Sequence, residues 1–564
     1  MRWLSSIAVV LCASCALPTT QLVFEVRGEG AALHAASRLV VRVHGPDGDV
    51  AGLPVVEVRP STEDARVLAR VPVVPVDGDE TRLVDFGAQL LDASGHVLAE
   101  ETLYNVAFVH DQLRVVPVVL VSECEGRDDG DPCGLECHAC AAEICVPSAD
   151  GAPCGCGGDR CAAGTCVPRV TVRDVEASSA FVGDSAYTDH TCALAYGGTV
   201  SCWGSSAFGA LGATGGESGA PTFVARDPLF TALAGSAAAH CTVANAGAVC
   251  WGANTSHEVS ATGGSVVATP VPRTGAPTIV SQMSGSSAMF VLDESAHLWA
   301  WGRNRQAEIG IVTSDPAGLA IPARAASPRS DWTFLAVDGR WIHACAIHPT
   351  TSEPQGELWC WGFNGSRETA PSSVDLQFTP VCVDVPGEPP CPADWTSVSV
   401  GNYHTCAIRA DGSLWCWGGP ASGQLGVGTS VLGLMGVAEP QRVPGRWRAV
   451  SCGQRTTCAI DDEGRLRCWG AGQIRTGTDP DPVFVGILGD GATTLSAPTP
   501  IAVLPPTPST TWRSVSVAAR HACAIREGDQ TLWCWGDNRE HAVDASSDLY
   551  VSRPRRVCPV GSEP

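Results

Sequence analysis

Residues 403–418 read YHTCAIRADGSLWCWG. One cysteine sits on an apolar run, an Ala-Asp-Gly-Ser turn follows, and a second cysteine lies inside a Trp-Gly ending. The phrase occurs seven times, with copies ending at Trp203, Trp251, Trp301, Trp361, Trp417, Trp469 and Trp535, spaced by 48, 50, 60, 56, 52 and 66 residues. Self-similarity at such a period marks one supersecondary unit copied in series, each copy unable to bury its apolar face alone.

The unit extends upstream. Trp395, Trp447 and Trp512 each precede the first cysteine of their copy by eleven residues, Phe181 and Phe230 keep that offset, and Trp332 stands thirteen away. The runs WTSVSV, WRAVSC and WRSVSV alternate large apolar with small residues, the pattern of a strand with two unlike faces. The unit is therefore strand, Gly-containing turn, strand, tight turn, strand, and a variable Gly/Pro-rich connection. Four short antiparallel strands per copy fit a propeller blade, and residues 170–558 are expected to form a propeller. Sixteen of the seventeen tryptophans lie there, so they serve the repeat rather than one pocket.

The paired cysteines have a geometric reading. In a hairpin centred on Asp411, Cys406 and Cys416 oppose each other, with Cα atoms roughly 4.5–5.5 Å apart, a separation that a disulfide spans. The same holds for Cys192/Cys202, Cys241/Cys250, Cys458/Cys468 and Cys523/Cys534, and for Cys345/Cys360 with a longer insertion between the strands. The third copy reads SSAMFVLDESAHLWAWG, which places Met289 and Ala300 at the cysteine positions. Joint loss of both partners is what a cross-strand pair predicts. Each bridge closes a short loop and contributes about 2–3 kcal/mol. Cys382 and Cys391 are expected to close a surface loop over 383–390. Cys452 and Cys558 are left over, and the tally is odd if Cys15 is lipidated, so one thiol is unbridged or bonded outside the chain.

His190, His343, His404 and His521 each stand two residues before a cysteine, and His240 stands directly before one. Repeated His-x-Cys is also a metal-ligand pattern. The cysteines already have partners, however, so the histidines are read as structural, each hydrogen-bonding within its own blade. No metal site, cofactor or catalytic residue is assigned, since a disulfide sulfur is no nucleophile.

These residues resemble the regulator-of-chromosome-condensation repeat family. Its pattern is met in full by the fifth copy: Gly401, His404, Cys406, Ala407, Trp417, Gly418, then Gly423-Gln424-Leu425-Gly426. Phe208-Gly209-Ala210-Leu211-Gly212 echoes the tail in the first copy, whereas the tail is absent or degraded after Trp251, Trp361 and Trp469. The resemblance implies an all-β, seven-bladed β-propeller. Its eponymous nuclear members are guanine-nucleotide exchange factors that bind chromatin, and secreted bacterial relatives that inhibit β-lactamase use one propeller face to bind protein.

Composition narrows the function. The net charge is −23, and all 36 basic residues are arginine. A deep negative charge argues against a nucleic-acid partner. Without lysine there is no P-loop, Schiff-base or kinase-type phosphate lysine. Twenty-seven cysteines point to an oxidising compartment. Arg2, an apolar run over 3–11 and small residues up to Cys15 read as a secretory signal over 1–14, with Cys12-Ala13-Ser14-Cys15 resembling a lipobox and Cys15 as the lipid attachment.

Residues 21–121 hold seven valine-rich runs separated by turn signals and are expected to form a small β-sandwich. Residues 122–168 carry nine cysteines and little apolar content, a linker stapled by disulfides. Cys137-x-x-Cys140 around His138 keeps zinc as the rival there, and Asp128, Asp129 and Asp131 read as a solvated acidic turn rather than a calcium loop. The chain as a whole reads as a monomeric, non-enzymatic binding or scaffold protein of the cell envelope, touching a membrane only through its lipid and recognising a protein or glycan partner. The candidate contacts are the insertions 213–220, 255–264, 303–305, 364–377 and 427–439. The alternatives are a secreted enzyme inhibitor or a propeller hydrolase or lyase, and, by family inheritance, guanine-nucleotide exchange.

Overall fold

The structure is a computed structural model that describes residues 7–9, 21–45, 48–49, 55–58, 65–75, 83–93, 97–107, 113–120, 138–141, 144–147, 160–162, 165–168, 170–182, 186–213, 218–225, 230–235, 238–244, 247–277, 279–285, 288–310, 318–324, 336–338, 342–350, 355–369, 374–474, 483–484, 486–492, 494–506 and 510–558. The chain divides into two compact units, the first within residues 1–169 and the second from Val170 onward. Among the described residues both are all-β apart from one six-residue helix, Gly30–Ala35, and two short 3-10 turns.

In the first unit, Gln21–Glu29 lies between Ala65–Pro75 (antiparallel) and Leu113–Leu120 (parallel). A second sheet joins Arg38–Gly45, Leu83–Leu91 and Val97–Ala107. Alternating residues of both sheets (Leu22, Phe24 and Val26 against Val41, Val43 and Phe86) form one core, and the rings of Phe24 and Phe86 stack 4.0 Å apart. That is two sheets packed face to face. Ile7–Val9 pairs with Val73–Pro75, while the lipobox cysteines Cys12 and Cys15 lie outside the described residues. In the Cys-rich stretch, two hairpins set Cys140 opposite Cys145 and Cys161 opposite Cys166; most of its other residues lie outside the described set.

The second unit contains seven four-stranded antiparallel sheets among the described residues, the fourth and fifth touching through the pairing of Gly356 with Trp395. The fifth is representative: Trp395–Val400, His404–Arg409, Leu414–Gly418 and Val437–Val443. The first strands of successive sheets pack on one another in chain order, and Trp512–Val517 of the seventh packs on Val172–Val182 of the first. The fourth strand of each sheet is its outer edge. Each carries a proline, Pro221, Pro270, Pro322, Pro380, Pro440, Pro498 and Pro554. Proline lacks a ladder donor and so belongs on edges, where it also deters strand addition.

The registers revise two details of the sequence reading. In the third sheet it is Phe290, not Met289, that opposes Ala300, while Met289 faces Trp301. Phe290 and Ala300 therefore take the cysteine positions, and Phe290 packs edge-on against Trp361. In the first sheet Val172, not Phe181, pairs three residues past the cysteine as Trp395 does, because the first connection is longer there. Phe230 does hold that position.

Candidate functional site

The site is built on the seams between sheets. Within six of the seven sheets, the two strands after the first are bridged: Cys192–Cys202, Cys241–Cys250, Cys345–Cys360, Cys406–Cys416, Cys458–Cys468 and Cys523–Cys534, with Cα atoms 4.0–4.1 Å apart. Cys382 is bonded to Cys391, but the loop it closes is not merely superficial, since Val383 and Val385 are buried beside Trp395. Cys558 is also disulfide-bonded. Cys452 carries a buried thiol.

The histidines hydrogen-bond across seams rather than within their own sheets. His343 Nε2 lies 2.8 Å from Thr405 Oγ1, His404 Nε2 2.7 Å from Thr457 Oγ1, and His521 Nε2 2.9 Å from Thr191 Oγ1. Each threonine hydroxyl donates in turn to a loop carbonyl, of Glu368, Gln424 and Ala542 respectively. A hydroxyl has one proton, so the imidazole must be the donor and its Nε2 carries hydrogen. In the second sheet His240 stands in the threonine position and meets His190 Nε2 to Nε2 at 2.6 Å. That explains its displaced spacing from the cysteine. Burial holds His190, His343, His404 and His521 down to about 3 and His240 well below the usual range. They are neutral struts.

Two more belts run parallel to this one. Serines of the first strands accept amide protons from the next sheet: Cys452 N–H to Ser399 Oγ (3.0 Å), Val517 N–H to Ser451 Oγ (3.1 Å) and Ala177 N–H to Ser516 Oγ (3.0 Å). The small residues of the WxSVSV runs are thus seam acceptors. The Trp-Gly tryptophans supply the third belt. The indoles of Trp251, Trp301, Trp361, Trp417, Trp469 and Trp535 donate to the carbonyls of Ala210, Glu258, Glu308, Glu368, Gln424 and Ile487 in the preceding sheet's loop.

Those acceptors, Ile487 apart, stand seven residues past a Trp-Gly tryptophan. The residue just before each is left-handed whatever its type: Gly209, His257, Ala307, Arg367, Gly423, Gly486 and, in the last copy, His541. The turn therefore persists where the Gly-Gln-Leu-Gly wording is lost, and in the sixth sheet it follows an insertion carrying the small hairpin of Gln473–Ile474 and Val483–Phe484. Glu258, Glu308 and Glu368 are buried, and their carboxylates accept the amide two residues back. Burial pushes Glu368 up to about 7. Asn254, Asn304 and Asn364 accept the amide five residues on. The sequence reading missed this Trp-Gly-x-Asn-x-x-x-Glu pattern, although its fixed spacing was visible. It shows that the inner parts of insertions 255–264 and 364–377 are structural, as is the Arg303 ion pair with Glu308 (2.7 Å).

The seam between the seventh and first sheets has its own buried charges. Arg520 lies 2.7 Å from Asp189 and 3.5 Å from Asp537, Ser179 donates to Asp189, and Glu540 accepts the Asp189 amide. Burial, opposed by Arg520, brings Asp189 up to about 6. These acids are engaged with arginine, serine and amides, so they do not form an open carboxylate pair for general acid–base work. Ring nitrogen and sulfurs of His404, Cys406 and Cys452 lie within 4.8 Å of one another, but the Cys406 sulfur is bonded to Cys416 and is not a thiolate ligand.

What remains open, in five of the sheets, is the end where the fourth strand begins. Val266, Val374, Leu434, Met435, Leu495 and Leu549 are exposed there, within three residues before the fourth strand pairs with the Trp-Gly glycine, and Met435 is 92% exposed.

The family described as regulator of chromosome condensation (RCC1) repeat matches residues 395–424 and 447–473. Those stretches lie in the fifth and sixth sheets. Among curated proteins, the chain is similar to the ultraviolet-B receptor UVR8 of Arabidopsis thaliana, 26% identical over 210 residues that cover 36% of this chain and 44% of that protein. The chain spans less than half the length of the first curated relatives it matches. Among solved structures, human WBSCR16 aligns with a TM-score of 0.53 and 20% identity, over 64% of this chain and 94% of that one. Saccharomyces cerevisiae Prp20p aligns with a TM-score of 0.53 and 18% identity, over 65% and 88%. Both share the propeller fold of the sheets described above. No helix among the described residues is long and apolar enough to cross a membrane.

Proposed function

We propose that this chain is an exported, non-enzymatic binding protein whose seven RCC1-type sheets form a closed seven-bladed ring that recognises a protein partner. The observation that carries the reading is the set of exposed apolar side chains at one end of five sheets, most prominent in the 427–439 insertion with Leu432, Leu434 and Met435. Apolar residues placed at equivalent register around a repeat array, rather than scattered, mark an interaction surface. Prp20p binds Gsp1p and histones, which supports a protein as the ligand class. The bridged sheets support an oxidising compartment; the signal over 1–14 and lipid on Cys15 rest on the sequence pattern alone.

The test compares the full-length chain with a Leu434→Glu, Met435→Glu variant, each immobilised and exposed to an envelope extract with cross-linking. The reading expects one saturable protein partner held by the wild type and weakened more than about tenfold in the variant, the loss of a central apolar contact, with thermal unfolding unchanged. Equal capture by both, or saturable binding only to glycans, contradicts it. Mass measurement of the N-terminus from an exporting host tests Cys15: diacylglyceryl on that residue is expected, and an unmodified chain that keeps residues 1–14 counts against export.

A further inference from the structure

We propose that Cys452 and the Cys406–Cys416 disulfide form an exchanging trio, giving the protein two disulfide isomers: one with the bridge inside the fifth sheet, the other with it across the seam to the sixth. Cys452 ends the strand Trp447–Cys452, in the place that Val400 and Val517 take in WTSVSV and WRSVSV. Val400 is buried against the Cys345–Cys360 pair of the preceding sheet. The thiol of Cys452 stands in the same relation to the preceding sheet's pair: its sulfur, that of Cys406 and a ring nitrogen of His404 lie within 4.8 Å of one another, all fully buried. Its backbone is fixed there by the amide bond to Ser399 Oγ. His404 already donates from Nε2 to Thr457, and its buried Nδ1 has no hydrogen-bond partner.

The chemistry needs no outside oxidant or reductant. The Cys452 sulfur attacks the Cys406 sulfur as thiolate; the Cys406–Cys452 bond forms and the Cys406–Cys416 bond breaks. The electron pair of the broken bond leaves on Cys416, which takes up the proton given up by Cys452. One disulfide and one thiol are present before and after. The product ties neighbouring sheets covalently, where the starting bridge ties only strands that are already hydrogen-bonded.

The test uses the full-length protein held at pH 5 or pH 9, quenched in acid, alkylated, digested with pepsin and mapped without reduction. The wild type is expected to yield a Cys406–Cys452 peptide at least about tenfold more abundant after pH 9, since exchange follows the thiolate, and Cys452→Val to yield none. In Cys416→Ser, incubated with oxidised glutathione, Cys406–Cys452 becomes the main linkage. Recovery of only Cys406–Cys416 from the wild type at both pH values overturns the proposal. So does a folded Cys416→Ser chain in which Cys406 and Cys452 are both alkylated.

Discussion

His404 of the fifth sheet and Thr457 of the sixth are joined by a 2.7 Å hydrogen bond, and the Thr457 hydroxyl donates in turn to the Gln424 carbonyl of the fifth sheet's loop. Three groups from two sheets are satisfied at once, and all three residues are buried. Thr457→Val keeps the shape but orphans the His404 N–H. An unsatisfied buried donor costs about 1–3 kcal/mol. We expect the urea midpoint to fall accordingly, and Thr457→Ser to stay near wild type; equal loss in both variants would assign the effect to packing.

Acid should loosen the seams. The histidines are neutral in the fold, at about 3, whereas unfolded histidine titrates near 6.5. Between those values the unfolded chain binds more protons, so stability falls as pH drops below about 6.5, by up to about 1.4 kcal/mol per pH unit for each histidine. Asp189 and Glu368 oppose this. Their folded values of about 6 and about 7 lie above the ordinary carboxylate values, so they add stability as pH falls through that window. Four histidines outweigh two carboxylates, and the net slope stays positive with pH. Denaturant titrations of His404→Gln at pH 4.5 and 6.5 should show a shallower dependence than wild type, by about one histidine's share.

The third sheet lacks a bridge only because of its side chains. Phe290 and Ala300 are directly opposed there, as the bonded cysteines are elsewhere. The double variant Phe290→Cys, Ala300→Cys should form a disulfide without reshuffling the others, seen as one extra bridge by mass. Stability should not rise, because losing a buried Phe against Trp361 costs about 3–5 kcal/mol and a short-loop bridge returns about 2–3.

Arg367 holds a left-handed backbone, φ 67°, in the turn where the fifth sheet uses Gly423. A side chain there is strained by about 1 kcal/mol. Arg367→Gly is expected to raise stability by up to about 1 kcal/mol in thermal or urea unfolding; a loss would mean that the arginine side chain makes a contact worth more than the strain.

The repeat itself was legible because it depends on local pattern. Cys406 and Cys416 bracket a turn at symmetric spacing, and the alternation of WTSVSV announces a strand. The seams were not legible, since they join residues about fifty positions apart whose partnership no single copy reveals. His240 looked misplaced until it was seen to occupy the threonine position opposite His190. Met289 reads as a cysteine replacement because the third copy offers no cysteine to anchor the register. Phe181 shared an offset with Trp395 by coincidence of a longer connection. The buried Glu258, Glu308 and Glu368 were hidden by the expectation that acids in loops face water.

The central claim is that the sheets close on themselves through the first and seventh. The most direct measurement is native-state hydrogen exchange at the closing seam. There Ala177 N–H bonds to Ser516 Oγ and Ala519 N–H to Ser179 Oγ. A closed ring predicts that these amides exchange as slowly as those of Cys452 and Val517, which sit at internal seams. Exchange at Ala177 and Ala519 faster by a thousandfold or more, the fraying expected at the free ends of an open array, would contradict it.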